Sequence, residues 1–366
     1  MNFPTDLVKI EERLKKIDPK NYAGTRNFKD GAVTHLSPYV SRGVLSTKQI
    51  YDHVRTLDLT AYPAEKFVQE LAWRDYWQQV WIAKTEEIKQ DLKYPQQPIA
   101  NYGVPKAIVE ANTGITAVDD ANKELYATGY MHNHMRMYVA AICCNVANVH
   151  WLAPAQWLYS LLLDGDLASN HLSWQWVAGA FSNKKYYANQ GNINRYFSTD
   201  QKDTFLDIEY SEFAQLGIPT ILQETVSFET VTALPKIEKP IIVKHKKTLI
   251  YNYYNIDPYW HKDENVQRIF LMEPSFYKEY PVSQHCIDFV LALTKNIEGI
   301  KIYVTDFADL LTEIGAEHLV YKEHPTNSHY RGREEPRKWL SNVTGYYPSF
   351  FAFWKKGIKD LKSEIS

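Results

Sequence analysis

The sequence predicts a mainly α protein: an all-helical domain followed by a small α/β domain with a parallel sheet. Three observations carry this. Apolar residues recur at helical spacing up to about residue 205. The composition then shifts to β-branched residues, prolines and a lysine-rich run at 244–247. Beyond that run, short strand-like and helix-like segments alternate, the pattern of a parallel sheet covered by helices. The expected domains are 1–216 (helical), 217–247 (linker), 248–335 (α/β) and 336–366 (an aromatic, helical tail).

Residues 6–16 read as a short amphipathic helix. Helical spacing resumes over 46–93, broken at 58–63, and Phe67, Leu71, Trp73, Trp77, Val80 and Trp81 suit a helix buried on more than one side. Residues 116–125 continue as helix, with Gly129 as its C-cap. Further helices are expected over 132–149 and, beginning near Pro154, over 155–163. In the last part, strands are expected at 248–254, 266–271, 301–305 and 318–321, and helices at 283–296 and 307–314. No G-x-G-x-x-G or G-x-x-x-x-G-K-[ST] occurs there, so no nucleotide fingerprint is assigned.

The 366 residues are 45% apolar and 23% charged, ordinary for a soluble globular protein. The 26 Tyr, 15 Phe and 10 Trp are less ordinary, and such rings either build core or stack on planar ligands. A net charge of −2 gives no global field for nucleic acid, so any DNA contact must use local positive charge. Three cysteines, Cys143 and Cys144 adjacent, form no disulfide framework and suit a reducing compartment. The start of the chain lacks a signal-like apolar stretch, and a cytoplasmic location is expected. Asn145 and Asn148 interrupt the most apolar segment, which argues against a membrane span.

Three segments can carry chemistry. In Thr34-His35-Leu36-Ser37-Pro38-Tyr39, hydroxyls and amides ahead of a helix can take phosphate oxygens, or Thr34 or Ser37 can simply cap the helix. Glu70 and Arg74 share a helix face, where an ion pair is the ordinary reading, and Trp73 beside them would ordinarily be core. The third runs from Met131-His132-Asn133-His134-Met135-Arg136-Met137 through Asp164-Gly165-Asp166 to Asn170 and Trp174-Gln175-Trp176. The two Asp can be a solvated turn and the two Trp packing. His132 and His134 point to different helix faces, so no metal is expected.

Taken together, these motifs resemble the flavin-binding domain of the DNA photolyase and cryptochrome family, from about residue 22 to 197 and most specifically over 113–187. The resemblance implies FAD, bent between helices and active in its reduced form. It implies light-driven electron transfer to a cyclobutane pyrimidine dimer flipped out of UV-damaged DNA, with a cryptochrome-like photoreceptor as the alternative. By position, Tyr22, Thr34, His35, Leu36, Ser37 and Arg74 match contacts to the cofactor. Arg136 and Asp164 match the ion pair beside the flavin ring, Asp166 the carboxylate at its polar edge, and Asn170 the side chain facing N5. Glu70, Trp73, Asn133, Met137 and Trp176 match the lesion pocket, with Glu70 also a catalytic candidate.

Relatives that repair the (6-4) photoproduct carry His where Asn133 and Met137 stand, which favours the cyclobutane dimer here. Trp174 and Trp151 match two of the family's three electron-transfer Trp; no Trp stands near 98–102, leaving either Tyr94 or Tyr102 as a substitute or a chain that ends early. Arg26, Lys184 and Lys185 are the expected DNA phosphate contacts, with Arg42 and Arg195 further candidates. The family's usual N-terminal antenna domain is missing, and the α/β segment resembles a shortened version moved to the C-terminus, which leaves the antenna chromophore unidentified. A monomer without metal is expected.

Overall fold

A computed structural model describes residues 3–57, 59 and 61–363, apart from the side chains of 61–64 and 363. In chain order its helices are α1 (Leu7–Lys15), α2 (Pro19–Thr25), α3 (Ser37–Ser41), α4 (Thr47–Arg55), α5 (Ala61–Lys84), α6 (Lys106–Val109), α7 (Thr116–Thr128), α8 (Asn133–Ala141), α9 (Leu152–Leu161), α10 (Leu167–Ala178), α11 (Gln190–Phe197), α12 (Pro274–Glu279), α13 (Gln284–Thr294), α14 (Phe307–Ile314) and α15 (Phe350–Ser363). The strands are β1 (Val104–Pro105), β2 (Thr225–Val226), β3 (Thr248–Tyr251), β4 (Gln267–Met272), β5 (Ile300–Val304), β6 (Leu319–Lys322) and β7 (Arg333–Glu335). Of the expected break at 58–63, Asp58 and Thr60 lie outside the described residues. Pro63 falls in the first turn of α5, where its missing N–H costs no helical bond.

The chain forms two compact units. One comprises Asp18–Val33 and Lys84–Glu229; the other comprises Thr34–Ala83 with the residues up to Ile17 and those from Thr230. Helices α1, α3, α4 and α5, read from sequence as part of the helical domain, therefore cluster with the α/β sheet.

The first unit is helical around an apolar cluster drawn chiefly from α7 to α10. After α8 the helix widens into a π turn at Ile142–Val146. There Asn145, the polar interruption of an apolar run, donates Nδ2 to the carbonyls of Val177 and Tyr186 at 2.9 and 2.8 Å. Both donors of the buried amide are thereby satisfied. Gly129 caps α7 in the left-handed conformation. The first residues of the expected linker are tied down too, since β2 pairs antiparallel with β1.

The second unit is built on a five-stranded parallel sheet of order β5-β4-β3-β6-β7. The central strands β3 and β4 are buried along their whole length, as expected of strands covered on both faces. The edge strand β7, with sequence Arg-Glu-Glu, carries no apolar signal and was not legible from sequence. Arg42 is fully buried, with its guanidinium 3.8 Å over the Tyr253 ring and Nη1 donating to the Tyr253 carbonyl. It is structural, which corrects its reading as a DNA phosphate contact. Among the described residues no helix is long and apolar enough to cross a membrane.

Candidate flavin and lesion site

In the helical unit, α8 and α10 present most of the residues assigned to the flavin. His132 caps α8, its Nδ1 accepting from the His134 amide, so Asn133 opens the helix and is exposed. Arg136 and Met137 follow one turn later. Arg136 donates from Nε to the Met131 carbonyl at 2.8 Å and from Nη2 to Asp164 Oδ2 at 2.9 Å. Its guanidinium is held at both ends, and the Asp164 side chain is only 5% exposed.

Asp164-Gly165-Asp166 is not a solvated turn, since both carboxylates are buried. A Cβ on Gly165 would lie 2.8 Å from the Tyr159 carbonyl, so the close turn requires glycine. Asp166 caps α10, accepting from the Ser169 amide at 2.8 Å. Asn170, one turn on, donates Nδ2 to the Ala155 carbonyl, which fixes its amide plane and leaves its oxygen free to accept. Trp176 is half-buried, its ring 5.9 Å from Tyr186.

His134 lies between Asn133 and Met137 in sequence but not in space. It is buried among Tyr138 and Tyr196, its Nδ1 is bonded to the Asn27 carbonyl, and burial lowers its pKa. Tyr22 and Arg26 lie in and just after α2, both half-buried, and Arg26 bonds the Ala23 carbonyl. Lys184 is exposed, whereas Lys185 is half-buried with its pKa lowered by desolvation.

The electron-transfer candidates belong to the same unit. Trp174 and Trp151 are buried. The Trp151 indole donates to Asp91 Oδ1 at 2.7 Å, and the His150 ring lies 5.6 Å from Trp151 and 5.5 Å from Tyr102. Main-chain bonds from His150 to Asn101 and from Ala100 to Asn148 hold Tyr102 there, with its own ring 69% exposed. Tyr94 makes no ring contact among the described residues. Sequence reasoning missed Asp91 and His150: a turn aspartate 60 residues from its Trp gives no signal.

In the other unit, Leu36 rather than Thr34 or Ser37 occupies the N-cap of α3, without a side-chain bond. Thr34 Oγ1 instead accepts from the Leu36 amide at 3.4 Å, and the Tyr39 and Val40 amides bond the Leu36 carbonyl. His35 is held at φ 53°, a left-handed conformation unusual for a residue with a Cβ. On α5, Glu70 pairs with Lys66 at 3.8 Å and Arg74 reaches the Val40 carbonyl. Trp73 stacks face to face on Phe350 of α15, with ring centres 3.7 Å apart and planes within 8°.

The donor set in the helical unit fits FAD. It offers a fixed cation to offset negative charge on the ring, a buried carboxylate at a helix start, and an oriented amide. A helical frame with that set defines a flavin-binding domain. Residues 67–228 match the family described as the FAD binding domain of DNA photolyase. That stretch of the chain is similar to the photolyase and cryptochrome family.

Among relatives, a deoxyribodipyrimidine photo-lyase of Alkalihalophilus pseudofirmus is 28% identical over 46% of this chain and 36% of its own. A chloroplastic/mitochondrial cryptochrome DASH of Solanum lycopersicum is 30% identical over 55% of this chain and 35% of its own. The crystal structure of a Synechocystis cryptochrome superposes with a TM-score of 0.50 at 25% identity, covering 54% of this chain and 44% of that one. The chain thus spans about a third of the length of the curated relatives it matches.

Proposed function

We propose that this chain is a light-driven lyase that repairs cyclobutane pyrimidine dimers in DNA, with bound reduced FAD as the electron source. One observation carries the choice of lesion. The position on the exposed start of α8 holds Asn133 and Met137 follows one turn on; of the two histidines beside them, His132 caps the helix and His134 is buried, carbonyl-bound and held neutral by burial. An acid-catalysed rearrangement therefore finds no imidazole at those two positions.

Asn133 and Glu70 hydrogen-bond the base edges, while Trp73 and Trp176 supply flat apolar surface. Arg136 offsets the charge of the reduced ring and Asn170 serves N5. Arg26, Lys184 and Lys185 hold phosphates of the damaged DNA, and the protein works as a cytoplasmic monomer. The likeness to cryptochromes supports a second reading, a blue-light photoreceptor.

The test is blue-light illumination of the reduced protein with dimer and (6-4) substrates side by side, using the parent and Glu70→Ala. Dimers are restored by the parent and (6-4) lesions are not. Glu70→Ala repairs roughly tenfold less well while keeping its flavin, as befits loss of one hydrogen bond to charge in the transition state. Dimer content unchanged by light in the parent leaves only the photoreceptor reading.

A further inference from the structure

No tryptophan follows Trp151 on the expected electron route, and the structure gives that ring a different partner. Trp151 is fully buried, and its indole Nε1 donates to Asp91 Oδ1 at 2.7 Å. Asp91 lies in the loop before β1, where its Oδ2 accepts from the Gln96 amide at 2.8 Å. Gln96 is itself buried. Its side chain donates Nε2 to the Val149 carbonyl at 2.8 Å and accepts from the Trp151 amide at 2.9 Å. One glutamine thus ties the Asp91 loop to the segment that carries Trp151, and holds the carboxylate against the indole.

His150 completes the surroundings of that carboxylate. Its Nδ1 accepts from the Leu152 amide at 3.4 Å, which puts its proton on Nε2, 3.3 Å from the same Asp91 oxygen. His171 of α10 also meets Trp151, ring to ring at 5.7 Å. Trp174 follows His171 by one turn and shares its helix face, and both tryptophans belong to one apolar cluster. Trp151 therefore has a second electron-transfer candidate close by and a carboxylate on its N–H.

An indole N–H is a very weak acid until the ring loses an electron, which makes it acidic enough to protonate a carboxylate. At a buried site the transfer turns a cation and an anion into two neutral groups, which a low dielectric favours. The electron can then return only if the proton returns with it.

We propose that Asp91 is the proton acceptor for oxidised Trp151, and that this transfer, in place of a third tryptophan, keeps the electron from returning. The inference rests on the flavin reading above. Trp151 gives one electron to Trp174, with light-excited oxidised flavin as the oxidant. The Nε1–H bond breaks and an O–H bond forms at Asp91 Oδ1, leaving a neutral indolyl radical beside a neutral acid. A soluble thiolate supplies the replacement electron by way of the exposed Tyr102 and leaves as a thiyl radical. The proton then goes back from Asp91 to Nε1.

The test is a blue-light flash on the protein with oxidised FAD bound, followed by visible absorption, in which the neutral indolyl radical absorbs to the blue of its cation. The parent is expected to pass from cation to neutral radical, more slowly in heavy water, and Trp151→Phe to abolish the long-lived neutral species. Asp91→Asn can still accept the indole N–H but cannot take its proton. Its radical stays a cation and is lost by return of the electron at least ~10-fold faster, with flavin absorbance and circular dichroism unchanged. A merely structural Asp91 would alter neither the protonation state of the radical nor its isotope dependence. Should Asp91→Asn misfold, the parent decides alone: a neutral radical slowed in heavy water supports the proposal, and a persistent cation overturns it. A neutral radical of parental lifetime in folded Asp91→Asn overturns it too, as does the absence of any radical. Dimer repair after chemical reduction of the flavin draws no electron through Trp151, so failure of the repair reading shows in a separate assay.

Discussion

Asp75 shows how burial sets the chemistry of one side chain. It accepts from Thr47 Oγ1 and from the Leu340 amide, yet burial outweighs these bonds and the nearby arginines, and its carboxyl is pushed up to about 6. The folded state therefore holds the proton more tightly than the unfolded chain. The stability contributed by that proton is full below about pH 4 and lost as pH rises towards 6, roughly 3 kcal/mol in all. Asp75→Asn should gain on the parent through that interval and hold a constant lead above it. Urea midpoints at pH 4, 5, 6 and 7 check this, and a lead independent of pH would refute it. At the same scale, Tyr102 is the exposed end of a ring series through His150 to Trp151. Tyr102→Phe should slow light-driven reduction of bound flavin severalfold without altering flavin content. A parental rate of bleaching under blue light would mean that the series ends at Trp151.

Among the elements, α5 explains most of what the sequence concealed. Its aromatic and apolar residues announced a helix buried on several sides, and that is legible because periodicity is local. What covers it is not local. The Leu340 and Gly345 amides bond Asp75 and Gln79, Arg337 bonds Gln78, the Tyr76 hydroxyl bonds the Tyr347 carbonyl, and Phe350 stacks on Trp73. These partners stand more than 250 residues away, and nothing in either segment names the other. The aromatic tail thus docks on a helix rather than acting alone. Phe350, 2% exposed, can be tested directly: Phe350→Ala should cost about 3–5 kcal/mol and shift tryptophan emission as Trp73 loses its stacked neighbour. Urea unfolding followed by fluorescence measures both, and a loss under about 1 kcal/mol would mean the ring is peripheral. The Arg136–Asp164 pair was legible because its motifs are dense and their order distinctive. The Asp91–Trp151 bond was not, because 60 residues separate its partners and no short motif joins them.

For the molecule as a whole, acid is the informative stress. His171 in the helical unit is fully buried, and desolvation holds its pKa down to about 4. Its neutral form is favoured by folding, so the stability it allows is complete above about pH 6.5 and drains away towards pH 4, roughly 3 kcal/mol. His324 in the other unit is depressed in the same direction by burial. Since Asp75 pulls the other way over the same interval, the check is the difference between variants: His171→Gln should gain on the parent as pH falls from 6.5 to 4.5, and an identical slope in the variant would exclude His171 as a source. The interleaving of the units bears on how the chain can be cut. The family match runs from residue 67 to 228, but α5, most of which lies inside it, is sealed by residues 337–350. A protein trimmed to the homologous stretch would present Tyr76, Trp77 and a buried aspartate to water, and would be recovered as aggregate rather than as a minimal flavoprotein. Here the border of inherited similarity is not a border of folding, and anyone grafting this flavin domain onto another scaffold must carry the distant tail along with it.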